Sequence, residues 1–209
     1  MPAANAATRK LILASASPRR KEILQAAGFA FDVVETAVPE TQREGESPEQ
    51  FVRRMATEKA EAAWNQIEPP CAVPILGADT VVVVEDQTLG KPASAEDARR
   101  MLRLLSGRQH RVLTGLCLLF PFPAGTRSEL RKDIEVASTI VQFSKLTEEE
   151  IEEYVASGEP LDKAGAYGIQ GLASKHIEWI AGCYFNVVGL PISLVYRMLK
   201  KATCVSSVV

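Results

Sequence analysis

The chain has 209 residues, 46% of them apolar, and a formal net charge of -2. That length supports one sizeable domain, or two small lobes sharing a core. The slight acidic balance argues against a nucleic-acid backbone as partner, which calls for a basic face. The four cysteines, at positions 71, 117, 183 and 204, show no Cys-x-x-Cys spacing, and only two histidines are present. This pattern argues against a zinc site and for a reducing compartment, so a cytoplasmic location is expected. No apolar run reaches membrane-spanning length, and residues 1–10 lack a hydrophobic signal core and read as a flexible tail.

Leu11 to Ala14 reads as a short buried strand, with Ser17 and Pro18 placed to start a helix. A helix start at the carboxyl end of a strand offers N–H groups and a positive dipole end to an anion. Ser15, Arg19 and Arg20 stand at the same point. A phosphate-binding corner and a capped surface helix with exposed arginines are both open readings of it. Gly28 ends that helix, Phe31 to Val34 follows as a strand, and Glu35 to Glu46 is polar and loop-like. Ser47 and Gln50 form a capping-box pattern for a helix running to about Ile67. Pro74 to Val84 is a strand pair or one long bent strand, with Asp79 and Thr80 inside it.

Ser94 starts a third helix, and Gln109 to Phe120 pairs with Arg131 to Phe143 as an antiparallel hairpin across a connection at 121–127. Thr147 and Glu150 form a second capping box. Ile177 to Ile180 and Phe185 to Val188 read as short strands, and Pro191 opens a last helix. The pattern predicts an α/β fold with a mixed sheet over residues 11–201, followed by a tail at 202–209.

Asp79, between two apolar runs, is expected at a strand end held near the core, where it suits metal coordination or activation of a water; a turn aspartate bonding its own backbone is the lesser reading. Lys91 suits a phosphate ligand or a solvated loop lysine, and Lys59 and Glu40 read first as solvated charges. Asp162 to Gly171 is glycine-rich, which allows close backbone approach. It lacks the Gly-Lys-Ser/Thr ending of a phosphate loop, and Gln170 within it offers both a donor and an acceptor. Neither histidine stands near a serine or cysteine at a recognisable spacing, so a covalent nucleophile has no support. Cations, a placed carboxylate and a helix N-terminus are what metal-assisted attack of water on phosphorus uses.

Six ordered motifs can then be set side by side: Ser15–Arg20, Gly77–Thr80, Gly90–Pro92, Leu105–Gly107 with His110 and Thr114–Gly115, Gly158–Gly171, and Asn186–Pro191. Together they resemble the Maf family of nucleoside triphosphate pyrophosphatases, also described as septum-formation inhibitor homologues. The resemblance implies an elongated mixed sheet with flanking helices, two lobes around a central cleft, and similarity to the inosine triphosphate pyrophosphatases. It implies hydrolysis between the α and β phosphates with Mg²⁺ or Mn²⁺, and a homodimer; the slight acidic balance and the lack of a membrane-spanning apolar run leave no nucleic-acid or membrane partner expected. Asp79 matches the family's proton acceptor. Ser15, Arg20, Lys59 and Lys91 match phosphate- and substrate-binding positions, and Glu40 joins Asp79 as a metal position. Arg19, Thr80 and Gln170 match the trio of the branch that takes dTTP and UTP, with modified pyrimidine triphosphates as further substrates. A nucleotide-binding regulator of cell division without turnover is the alternative. The sequence departs from the family pattern at Leu172–His176 and at Cys183.

Overall fold

The computed structural model describes residues 10–68, 73–120 and 130–205, without the side chains of 203–205. Both tail residues 1–9 and the 121–127 connection lie outside the described residues, as does Cys71.

Strands β1 (Leu11–Ala14), β2 (Phe31–Val33), β3 (Ile75–Val84), β4 (Gln87–Leu89), β5 (Gln109–Phe120), β6 (Arg131–Phe143) and β7 (Ile177–Ala181) form one seven-stranded mixed sheet. Its order is β2-β1-β3-β5-β6-β7, with β4 also on β3. Helices α1 (Pro18–Ala26), α2 (Pro48–Trp64), α3 (Ala95–Leu105), α4 (Glu148–Ala156), α5 (Tyr184–Val188) and α6 (Ile192–Val205) surround it. β1 runs parallel to β2 and β3, and the remaining ladders are antiparallel.

The predicted strand pair at Pro74 to Val84 is one strand. Its early residues pair with β1 as far as Gly77, and Val82–Val84 pair with β4. Between them, residues 78–81 have β5 on one side and no strand on the other. The gap falls at the carboxyl end of β1, the position where open α/β sheets bind ligands.

α2 lies against β3 and β5 at close range because two glycines admit it. A Cβ on Gly77 would stand 2.0 Å from the Ala56 carbonyl oxygen, and one on Gly115 would stand 2.1 Å from that of Val52. Both sequence-predicted capping boxes are present, Ser47 with Gln50 and Thr147 with Glu150. Ser17 occupies the N-cap of α1, but its side chain makes no capping bond; instead its N–H donates to Ser15 Oγ at 3.3 Å.

Phe185 to Val188 is not the expected strand. Those residues belong to the short helix α5, bounded by Gly182 and Gly189, both at positive φ. Buried Asn186 donates its amide to the Val112 carbonyl at 2.9 Å and to Thr139 Oγ1 at 3.0 Å. These tertiary bonds and the bracketing glycines override the strand propensity of the aromatic and β-branched residues. α6 reaches Val205, past the point where the sequence suggested a tail.

Candidate functional site

A cleft of about 810 Å³ opens at the gap in β3. The lining includes Ser15, Arg19, Arg20, Glu40, Lys59, Asp79, Thr80, Lys91 and Gln170, so every residue singled out from the sequence meets in one place.

Side chains alternate along β3, so Asp79 shares the face of Gly77, over which α2 packs. Lys59 on α2 therefore comes down onto it. The Lys59 ammonium donates to Asp79 Oδ1 and to Glu40 Oε1, each at 2.6 Å. Lys59 and Asp79 are 8% and 5% exposed, which removes the solvated-face reading of Lys59. Burial pushes the Asp79 carboxyl above the ordinary aspartate range, and the adjacent Lys59 ammonium partly opposes this. For Glu40, burial also pulls upward, but the Lys59 hydrogen bond and the charges of Lys59, Lys91 and Arg20 outweigh it and leave the group lowered. Two carboxylates of unequal basicity thus meet at one ammonium.

Thr80 faces the other side of the strand. Its hydroxyl lies 3.0 Å from Thr114 Oγ1 and receives a bond from Arg20 at 3.1 Å. Arg20 is buried, and its guanidinium also donates to the carbonyls of Gly189 and Ala78, each at 2.9 Å, and to Ser15 Oγ at 3.0 Å. Arg20 thus ties α1, β3 and the α5–α6 junction together, and contributes its charge to the cleft from a fixed frame. Arg19 is free of that frame. Its guanidinium crosses the cleft to Asp162 Oδ2 at 2.9 Å and to the Asp162 carbonyl at 3.3 Å.

Asp162 begins the glycine-rich stretch, which is built of 3-10 turns at Glu159–Asp162, Ala164–Ala166 and Leu172–His176. Gly165 and Ala166 both have positive φ, and the Gly165 N–H donates to the Gly90 carbonyl at 3.0 Å. That bond sets the glycine-rich wall beside exposed Lys91. Below it, the buried Tyr167 hydroxyl lies 2.7 Å from His110 Nε2. His110, lowered to about 4 by burial, is neutral and structural.

The sequence reading did not anticipate Arg54. Its guanidinium grips both oxygens of Glu46 at 2.7 Å and the Thr41 carbonyl at 3.0 Å, fixing the loop that carries Glu40. The helical spacing of Arg54 and Glu58 was a visible signal, but the reach back to Glu46 was not. The Arg54 hydrogen bond holds the Glu46 carboxyl down at about 2. A depressed carboxyl stabilises the fold above its unfolded value, near ~4.3. That contribution is lost as pH falls toward the folded value. The melting temperature is therefore expected to drop more steeply below pH ~4.3 in the wild type than in Glu46→Gln, by thermal melts at stepped pH. Equal slopes would remove the clasp from the account.

The profile described as Maf-like protein matches residues 10–202. The dTTP/UTP pyrophosphatase of Koribacter versatilis (strain Ellin345) is 47% identical over 192 residues, 92% of this chain and 94% of that protein. That of Geobacillus sp. (strain WCH70) is 47% identical over 193 residues, 92% and 98% of the two chains. That of Clostridioides difficile (strain 630) is 44% identical over 191 residues, 91% and 94%. Among solved structures, the Staphylococcus aureus Ham1 protein overlaps with a TM-score of 0.46 at 13% identity, covering 93% of this chain and 100% of that one. An overlap that loose carries nothing about the cleft. The profile match over residues 10–202 and the relatives at 44–47% identity over more than nine-tenths of the chain establish that this chain belongs to the Maf family.

Proposed function

We propose that the protein hydrolyses dTTP and UTP to the monophosphate and pyrophosphate. The observation that carries this is Asp79, a buried carboxylate of raised basicity that lines the cleft at the unpaired stretch of β3, beside Lys59 and in the same cleft as the start of α1. Pyrimidine triphosphates are the substrates named for the relatives at 44–47% identity.

In this reading the triphosphate lies along Ser15, Arg19 and the first turn of α1, where backbone N–H groups and the dipole favour anions. Lys91 adds a charge at the opposite rim. Asp79 accepts a proton from the water that attacks the α phosphorus. The bond to the bridging oxygen breaks, and pyrophosphate leaves with the electron pair. Lys59 orients the Asp79 carboxylate and holds Glu40 beside it. Gln170 meets the pyrimidine ring, whose uracil or thymine edge differs from cytosine in its donor pattern.

Glu40 and Asp79 are the residues that would hold a Mg²⁺ or Mn²⁺ ion, through carboxylate oxygens not engaged by the Lys59 ammonium; no group of three such ligands occurs among the described residues, so substrate phosphates would complete the site. Hard cations of this kind are commonly held by one or two carboxylates together with substrate phosphates. Such an ion, when bound, neutralises phosphate charge and acidifies water. The same reading includes a homodimer, for which β7 is an edge strand carrying exposed Trp179. It also includes the cytoplasm, where the free thiols of Cys117 and Cys183 would stay reduced. No helix among the described residues is long and apolar enough to cross a membrane.

Purified protein with Mg²⁺ or Mn²⁺ is expected to release pyrophosphate from dTTP and UTP well ahead of CTP and 7-methyl-GTP. Tight binding of dTTP without release would overturn the reading and favour a nucleotide-responsive regulator. Equal rates on all four would remove Gln170 as the base reader.

A further inference from the structure

Gln170 sits at an exposed turn. An amide reads a base edge only if its backbone is held within about half an ångström. The bonds that hold this turn come from a pair of residues outside the phosphate-binding set.

The turn is closed by the Gly171 N–H, which donates to the Gly168 carbonyl at 3.1 Å. On its amino side, the Gly168 N–H donates to the Tyr154 hydroxyl at 3.2 Å. The Tyr154 hydroxyl in turn donates to Glu159 Oε1 at 3.0 Å. On its carboxyl side, the Leu172 N–H donates to Glu159 Oε2 at 3.0 Å. One phenol–carboxylate relay therefore grips the turn at both ends, with Ile169 and Gln170 between. Ile169 packs against the core that includes Leu13 and Val188, which leaves Gln170 as the presented residue.

The fit is close. A Cβ on Gly171 would lie 2.1 Å from Glu159 Oε1, so the carboxylate rests directly on the turn backbone. Tyr154 is itself 5% exposed and packed in the core with Phe143 and Tyr167. Burial, with the neighbouring Glu159 charge, holds its phenol well above the ordinary tyrosine range, so it stays a donor. The Lys163 ammonium closes the base of the stretch by donating to the Glu159 carbonyl and to Asp162 Oδ1, each at 2.6 Å.

We infer that Tyr154 and Glu159 are positioning residues for base selection, acting on the pyrimidine only through the Gln170 turn. This rests on the pyrophosphatase reading and on Gln170 facing the base. Tyr154 lies outside the cleft lining, and Glu159 lines the cleft with both carboxylate oxygens already engaged by the Tyr154 hydroxyl and the Leu172 N–H, so their loss is expected to change which base is accepted more than the catalytic step.

The test compares kcat and KM for dTTP and CTP in the wild type, Tyr154→Phe, Gln170→Ala and the double variant. Tyr154→Phe keeps the ring and removes the hydroxyl. It is expected to lower the dTTP-over-CTP ratio of kcat/KM about tenfold, through KM for dTTP, with kcat changed less than about twofold. The double variant is expected to be no less selective than Gln170→Ala alone, because the strut has nothing left to aim. Glu159→Gln leaves the phenol in place and replaces one acceptor, and is expected to shift the ratio in the same direction. An unchanged ratio in both strut variants, or additive losses in the double variant, would overturn the inference. So would a wild type that does not discriminate between the two nucleotides. If the wild type releases no pyrophosphate at all, the enzymatic reading is what has failed. The same four proteins then answer the positioning question through calorimetric binding of dTTP and CTP, judged by the same ratios.

Discussion

Asp79→Asn is expected to slow pyrophosphate release about a thousandfold, the usual scale for loss of a positioned general base. The change is isosteric and keeps an oxygen facing Lys59, so dTTP should still bind. Its effect on stability should run the other way. Burial raises the Asp79 carboxyl above its unfolded value. A carboxyl raised in the folded state weakens the fold wherever it is ionised, that is, above its folded pKa, and ceases to do so at lower pH. At neutral pH the amide removes that cost, and Glu40 remains 2.6 Å from the Lys59 ammonium. The variant is therefore expected to melt no lower than the wild type while being nearly inactive, the trade found where function requires a destabilised group. Kinetics and a melt on the same preparation check both halves. Activity within tenfold of wild type would remove Asp79 from the chemistry, and a markedly lower melting temperature would show that the carboxylate is structural.

Gly77→Ala is expected to carry a large stability loss for a single methyl addition near the site. The new Cβ would meet the Ala56 carbonyl oxygen at 2.0 Å and the Ala60 nitrogen at 2.9 Å. Those are backbone atoms and cannot swing aside, so α2 has to lift. Overpacking of this kind costs about 3 kcal/mol, and for a chain of this size each kilocalorie lowers the melting temperature by roughly 2–4 °C. Lys59 is one residue from Ala60, so the helix cannot move without drawing the ammonium away from Asp79. Loss of activity in the fraction that remains folded should accompany the loss of stability. Gly90→Ala is the control, because nothing lies within 4 Å of its added carbon. Its stability is expected to stay within about 0.5 kcal/mol of wild type. Equal melting temperatures for the two variants would mean that α2 does not depend on the glycine.

The local features of the chain were legible wherever one residue and its near neighbours carry the physics. The start of α1 after β1, both capping boxes and the β5–β6 hairpin follow from short-range rules. Asp79 was expected at a strand end, and it lies within β3 instead, because the strand runs unbroken from Ile75 to Val84. Lys59 and Glu40 were not legible in this way. On a helix with acidic neighbours a lysine looks solvated, and only the approach of α2 at Gly77 and Gly115 buries it. Arg20 was read as a phosphate ligand, yet its donors go to atoms as far along the chain as Gly189, which no local pattern reveals. α5 failed for a related reason, since Asn186 bonds across to β5 and β6 and its flanking glycines bend the chain. Glu159 was in plain sight within a motif, but its partners Tyr154 and Leu172 meet it only once the 3-10 turns have formed.

Residues 78–81 of β3 lack a neighbouring strand on one side, and an unpaired edge is where a foreign segment adds itself to a sheet. Here a guanidinium takes the place of that segment, since Arg20 donates to the Ala78 carbonyl at 2.9 Å. A charged side chain in the ladder position satisfies the backbone and repels an incoming strand. The arginine that fixes this corner of the cleft thus also closes the open edge to another polypeptide, and guards against aggregation at the place where the sheet would otherwise invite it.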